Sequence, residues 1–163
     1  MTPIIIDVEG SGFGPESYPV EVGLALRDGT RHCYLVAPQR SWRHWDAEAE
    51  RIHGISRTLL ETHGRPAREV AWRLNALLAG RTVYSDGAAF SIAWLDRLYR
   101  AVRMQRGFEV ADLSELLDAQ QRERWLEVKQ AVSEALALKR HRASGDAWIL
   151  QETWRRLNAR AAA

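Results

Sequence analysis

Ile4-Ile5-Ile6-Asp7-Val8-Glu9-Gly10-Ser11-Gly12 is the stretch that decides the fold. Three isoleucines in succession leave no polar face, so the run reads as a strand covered on both sides and hence central in a sheet. Strand side chains alternate, which puts Asp7 and Glu9 on the same face. Carboxylates held that close repel one another, and a buried Asp7 without a partner is costly. A divalent cation offsets both effects, and an all-oxygen donor set suits Mg²⁺ or Mn²⁺ rather than zinc. Open α/β sheets bind ligands beyond the C-terminal ends of their strands, where this pair stands. Gly10, Ser11 and Gly12 are expected to let a substrate approach the backbone closely.

Outward from this strand, a turn over residues 10–19 leads to a second strand, Val20 to Leu26. Asp28-Gly29 then signals a hairpin into a third, Arg31 to Val36. The Trp-rich segment after Pro38 holds a short helix and a loop. Val70, Leu74, Leu77 and Leu78 have helical spacing, with Gly80 at the expected C′ position. Thr82-Val83-Tyr84 reads as a fourth strand and Phe108 to Ala111 as a fifth. Between them Ile92, Leu95, Leu98, Tyr99 and Val102 mark the inner face of a helix. Helices fill the rest, the last running from Arg142 to Arg160, with fraying expected at the chain end. A three-strand meander followed by alternating helices and strands predicts an α/β domain with a mixed five-stranded sheet flanked by helices. The 163 residues suit a single domain, 1–163.

Composition narrows the class. At 46% hydrophobic and 27% charged the chain is globular rather than disordered. No apolar run approaches the roughly 20 residues that span a bilayer. No leader pattern opens the chain, so a cytoplasmic location is expected. The single cysteine, Cys33, excludes an internal disulfide and is expected as a small buried hydrophobe. A net charge of +2 says little about a polyanionic partner; the densest basic cluster is Lys139-Arg140-His141-Arg142. The seven tryptophans are expected mostly in the core. Trp42 and Trp45, flanking Arg43 and His44, have base stacking as their alternative.

A second constellation lies near the C-terminus. The last helix has its apolar face along Ala143, Ala147, Leu150, Trp154 and Leu157, and Asp146 falls on that inward stripe. An inward aspartate needs a metal or a buried donor. Small residues at Ala143, Ser144 and Gly145 would let the helix press onto the sheet that carries Asp7 and Glu9. His141 stands at the helix start, and histidine side chains titrate near neutrality, so it can take a proton from an attacking water.

Together these residues resemble the DEDDh family of 3′→5′ exonucleases, of ribonuclease H-like fold. Asp7-Val8-Glu9-Gly10-Ser11-Gly12 is similar to its first motif, Asp-x-Glu-Thr-Thr-Gly. Val20-Glu21-Val22-Gly23 resembles its apolar-acidic-apolar-Gly strand, and Ile52-His53-Gly54-Ile55-Ser56 its Ile-His-Gly-Ile-Thr. His141 and Asp146 resemble its His-x4-Asp motif. The resemblance implies that Asp7, Glu9 and Asp146 hold two Mg²⁺ or Mn²⁺ ions. His141 would be the general base, with Glu9 also in the catalytic set. Nucleoside 5′-monophosphates would be released from 3′ ends of single-stranded or short DNA or RNA. Phe13 resembles the wedge that stacks on the terminal base, and Gly10, Ser11, Gly12, His53 and Ser91 complete the expected substrate-binding set. The resemblance leaves a homodimer open.

One departure stands out. Val83-Tyr84-Ser85-Asp86-Gly87-Ala88-Ala89-Phe90-Ser91 places Ser91 where the family's second metal-binding aspartate belongs. Serine is a poor neutral ligand, so Asp86 is the candidate replacement, its alternative being an N-cap for the next helix. The competing reading is a degenerate relative that binds nucleic acid or a protein partner with weak or no catalysis.

Overall fold

The computed structural model describes residues 1–138 and 141–159. Lys139 and Arg140 of the basic cluster, and the final residues expected to fray from Arg160 on, lie outside them. Five strands form one sheet: β1 (Ile5–Gly10), β2 (Pro19–Ala25), β3 (Arg31–Leu35), β4 (Thr82–Ser85) and β5 (Glu109–Asp112), in the order β3-β2-β1-β4-β5. β1, β2 and β3 are antiparallel neighbours, whereas β4 runs parallel to β1 and β5 parallel to β4. The sheet is mixed, and β1 is its central strand. Around it lie α1 (Ala47–His53), α2 (Arg57–His63), α3 (Ala67–Leu78), α4 (Ala88–Ala101), α5 (Ala119–Leu136) and α6 (Ala143–Ala159). Gly80 takes the left-handed conformation after α3, as its C′ position requires.

Alternation along β1 divides the molecule into two layers. Ile4, Ile6 and Val8 join Val20, Val22 and Leu24 in the main core, against Val70 and Leu74 of α3 and Leu95 and Leu98 of α4. Ile5 points the other way and packs with Ala25, Leu113, Ala147 and Leu150 under α6, where Tyr84, Trp125 and Trp154 close the layer. All three isoleucines are fully buried, and each contributes about 1.5–3 kcal/mol by leaving water. Asp7 and Glu9 share the parity of Ile5, so they emerge on the α6 face.

Register decides what meets them. Asp7 lies opposite Gly23 of β2 and Glu9 opposite Glu21. A Cβ on Gly23 would run into the backbone of Ala143 and Ser144. The bare glycine therefore lets the first turn of α6 rest directly on the sheet, next to the acidic pair.

Several expectations are corrected by packing. Cys33 is exposed, because β3 is an edge strand, and its thiol donates to Glu21 at 3.2 Å. Trp72 projects from α3 and is 61% exposed rather than in the core. Trp42 is sealed inside, stacked on Tyr18 with ring centroids 4.9 Å apart, which removes it as a base-stacking surface. Trp45 is partly buried, and its Nε1 donates to Glu50 at 2.6 Å. Among the described residues no helix is long and apolar enough to cross a membrane.

Candidate metal centre

Asp7, Glu9 and Asp146 converge. One carboxylate oxygen from each lies within 4.8 Å of the others, and all three side chains are partly buried. The strand supplies two of them by parity and α6 supplies the third by its inward stripe. Burial pushes the Asp7 carboxyl well above the ordinary range, and the charges of Glu9, Asp146 and Asp86 push it further. Burial likewise raises Glu9, to about 7, aided by Asp146 and Glu21 and opposed by Arg142. Three oxygen donors that repel one another in a shielded place fit a hard divalent cation, which removes the repulsion.

The entry to α6 is held by a clamp that sequence reading missed. Glu21 is fully buried, and it accepts from Arg142 through Nε at 3.1 Å and Nη2 at 2.6 Å, and from the Ala143 backbone N–H at 2.7 Å. This charge-assisted fork pins the start of α6 to β2. Asp146 then reaches back, its Oδ2 accepting from the His141 N–H at 2.8 Å. His141 is exposed and takes a left-handed backbone, φ 58°, so the chain turns sharply there. The expected freedom of the histidine is thus confined to its side chain, since its backbone is tied to Asp146. Only the Val20-Glu21-Val22-Gly23 motif pointed at Glu21, and nothing local linked it to Arg142.

On the other side of β1, Asp86 follows the end of β4. Ile5 pairs with Tyr84 across parallel strands, and Asp86, one residue past the end of β4, stands toward the same C-terminal end of the sheet as Asp7. Asp86 does not join the group of three; its Oδ2 receives Lys129 Nζ of α5 at 2.6 Å. Nor does it cap α4, whose N-cap is Gly87 without a side-chain bond. Ser91 is buried, with its hydroxyl 3.0 Å from that of Ser85. Lys129 carried a signal that reading β1 alone did not use: Trp125, Lys129 and Val132 fall at i, i+4 and i+7, an inward stripe of α5. A lysine on such a stripe needs an acidic partner.

The turn after β1 is closed by aromatic and imidazole rings. A Cβ on Gly10 would run into the Trp94 indole, and one on Gly12 into the His44 ring. These glycines make room for neighbouring side chains. Ser11 is buried, and its hydroxyl accepts from the Tyr18 N–H at 3.1 Å. His53 is buried as well, its Nδ1 accepting from the Ile55 N–H at 3.0 Å. Burial lowers its pKa, opposed by a hydrogen bond with the Gly10 backbone. Ser11, His53 and Ser91 are thus all buried. Phe13 does present one: it is 57% exposed and meets Phe90, 48% exposed, edge-on with centroids 5.8 Å apart. Phe90 in turn stacks on Trp94 at 5.6 Å. Nothing local in the sequence marks the Phe90 ring as a partner of Phe13, which lies far from it in the chain.

The chain is similar to exonuclease I of E. coli in complex with a dT13 oligonucleotide, with TM-score 0.74 and 13% identity, over 98% of this chain and 41% of that one. Its fold is ribonuclease H-like. The product-bound form of exonuclease I matches with TM-score 0.72 and 12% identity, over 98% and 43% of the two chains. A moderately thermophilic exonuclease I from Methylocaldum szegediense matches with TM-score 0.73 and 16% identity, over 98% and 40%. The chain thus spans about two fifths of the length of these neighbours. No protein-family model and no curated protein matches the sequence.

Proposed function

We propose that the protein is a metal-dependent 3′→5′ exonuclease that shortens single-stranded DNA or RNA. The observation that carries this reading is the gathering of Asp7, Glu9 and Asp146, from opposite ends of the chain, to within 4.8 Å. Asp7, Glu9 and Asp146 would hold at least one Mg²⁺ or Mn²⁺. When bound, the ion polarises the phosphoryl group and makes water more acidic. His141, exposed at the α6 entry, accepts the proton of the attacking water at a ring nitrogen. A P–O bond forms to that water and the bond to the 3′ oxygen of the preceding nucleotide breaks. A nucleoside 5′-monophosphate leaves, and the shortened strand keeps a 3′-hydroxyl. Phe13 and Phe90 offer faces on which the terminal base stacks, a contact that tolerates any base and favours frayed or single-stranded ends. The likeness to exonuclease I, solved with single-stranded oligonucleotides, supports this substrate class.

The alternative, a nucleic-acid-binding relative with weak catalysis, draws on the buried Ser85–Ser91 pair, a neutral contact at the position where the family resemblance implies a metal ligand. End-labelled single-stranded DNA and RNA incubated with Mg²⁺ or Mn²⁺ separate the two. A ladder shortening from the 3′ end, lost in Asp7→Ala, supports the exonuclease. Binding without shortening in either metal supports the alternative.

A further inference from the structure

Hydrolysis of a phosphodiester piles negative charge onto the phosphate oxygens and the departing 3′ oxygen. Three carboxylates suffice to hold one cation, and among the described residues the group contains no fourth acid. The fourth acid nearby, Asp86, is engaged by an ammonium group instead, at 2.6 Å. Two features bear on where that ammonium stands. Asp86 directly follows β4, whose Tyr84 pairs with Ile5, two residues before Asp7 in β1. On α5, Lys129 follows Trp125, packed on the layer below α6, by four residues and precedes the fully buried Val132 by three, and its side chain is only 23% exposed.

The other cation beside the group, Arg142, is gripped from two nitrogens by Glu21. Lys129 is held differently. An ammonium has three donors, so it can keep Asp86 and still donate to a phosphate oxygen. Ser91, bonded to Ser85 and neutral, adds no charge to this side.

We propose that Lys129 is a catalytic residue, donating to the scissile phosphate as the second positive charge beside a single divalent ion held by Asp7, Glu9 and Asp146. It takes the place of the second ion that the family resemblance implied, and Asp86 positions it. The inference rests on the nuclease reading above.

The test uses the full chain with end-labelled single-stranded DNA at saturating Mn²⁺, comparing wild type, Lys129→Met and Lys129→Arg. Methionine keeps the apolar stem against Trp125 and Val132. Binding of Mn²⁺ without nucleic acid is followed separately by electron paramagnetic resonance. Wild type is expected to bind one Mn²⁺ per chain, and Lys129→Met to bind one with equal or tighter affinity. The kcat of Lys129→Met should fall by about 100-fold or more, the range for removing one donor to developing charge. Lys129→Arg, with its charge kept, should recover part of the rate. A Lys129→Met kcat within about threefold of wild type overturns the proposal on that same scale. So does a second Mn²⁺ on the wild-type chain, or a loss of rate that merely follows a loss of Mn²⁺ binding. Wild type that leaves the DNA uncut in every metal refutes the nuclease reading itself, and this inference with it.

Discussion

Replacing Glu9 by glutamine should stabilise the metal-free protein at alkaline pH while damaging its function. Burial, with Asp146 and Glu21 close by, raises the Glu9 carboxyl from 4.5 to about 7. Between those values the folded chain keeps a proton that the unfolded chain has lost. Stability from this group is therefore full below 4.5, falls as pH rises toward 7, and stays low above it. The interval corresponds to about 3 kcal/mol, at roughly 1.36 kcal/mol per tenfold change in proton activity. Asp7 acts in the same sense, and the depressed His53 in the opposite one, so only a difference between variants isolates Glu9. An amide is neutral throughout and removes the slope. Thermal melts in a chelator from pH 4.5 to 8 should show Glu9→Gln more stable at pH 8 by up to about 6–12 °C, given 2–4 °C per kcal/mol at this chain length. The gap should close toward pH 4.5, and adding Mn²⁺ should reverse it, since the ion stabilises the wild type more. Parallel melting curves for the two proteins across this range would show that Glu9 is not in a repulsive, shielded setting, and the case for an ion there would lose its electrostatic basis.

Other outcomes follow from the same contacts. Arg142→Ala leaves the buried Glu21 carboxylate without its fork; it should cost about 3 kcal/mol, the lower end for breaking a buried pair because the guanidinium is 37% exposed. Urea unfolding measures this, and Mn²⁺ affinity should fall alongside as the α6 entry loosens. Phe13→Ala and Phe90→Ala should each weaken oligonucleotide binding by about 1–3 kcal/mol if a base stacks there. Their double variant should fall short of the sum, because the rings touch each other, and fluorescence anisotropy in Ca²⁺ gives the values. Ser91→Asp adds a carboxylate to a closed neutral pair, so its metal-free melting temperature should drop, with a larger Mn²⁺-induced recovery than in wild type. Gly23→Ala should displace the first turn of α6, which hydrogen exchange at Ala143 and Ser144 would report.

Much of this arrangement was legible in the sequence because it follows from short periods. The isoleucine run located the central strand, the two-residue alternation put Asp7 and Glu9 on one face, and the helical repeat turned Asp146 inward. What escaped depends on contacts between distant segments. No local pattern joins Glu21 to Arg142, since the pairing exists only after α6 has crossed β2. Lys129 lies on a helix whose outer surface is so polar that its narrow inward stripe is weakly marked. Cys33 and Trp72 were misplaced for a related reason: an apolar side chain at an edge strand, or off the apolar arc of a helix, is exposed whatever its own preference. At Gly10 and Gly12 the small residue was legible but the rings packed on it were not, because Trp94 and His44 arrive from elsewhere in the chain.

The three convergent acids come from β1 and α6, and every other described element lies between them in the chain. A growing polypeptide released up to α5 would expose two carboxylates on an uncovered sheet face, with Glu21 lacking its arginine. Whatever the acids bind, they can bind it as a set only after α6 has docked against Gly23. Competence therefore waits on α6, and any lesion that loosens this helix should silence the protein before it unfolds the remainder.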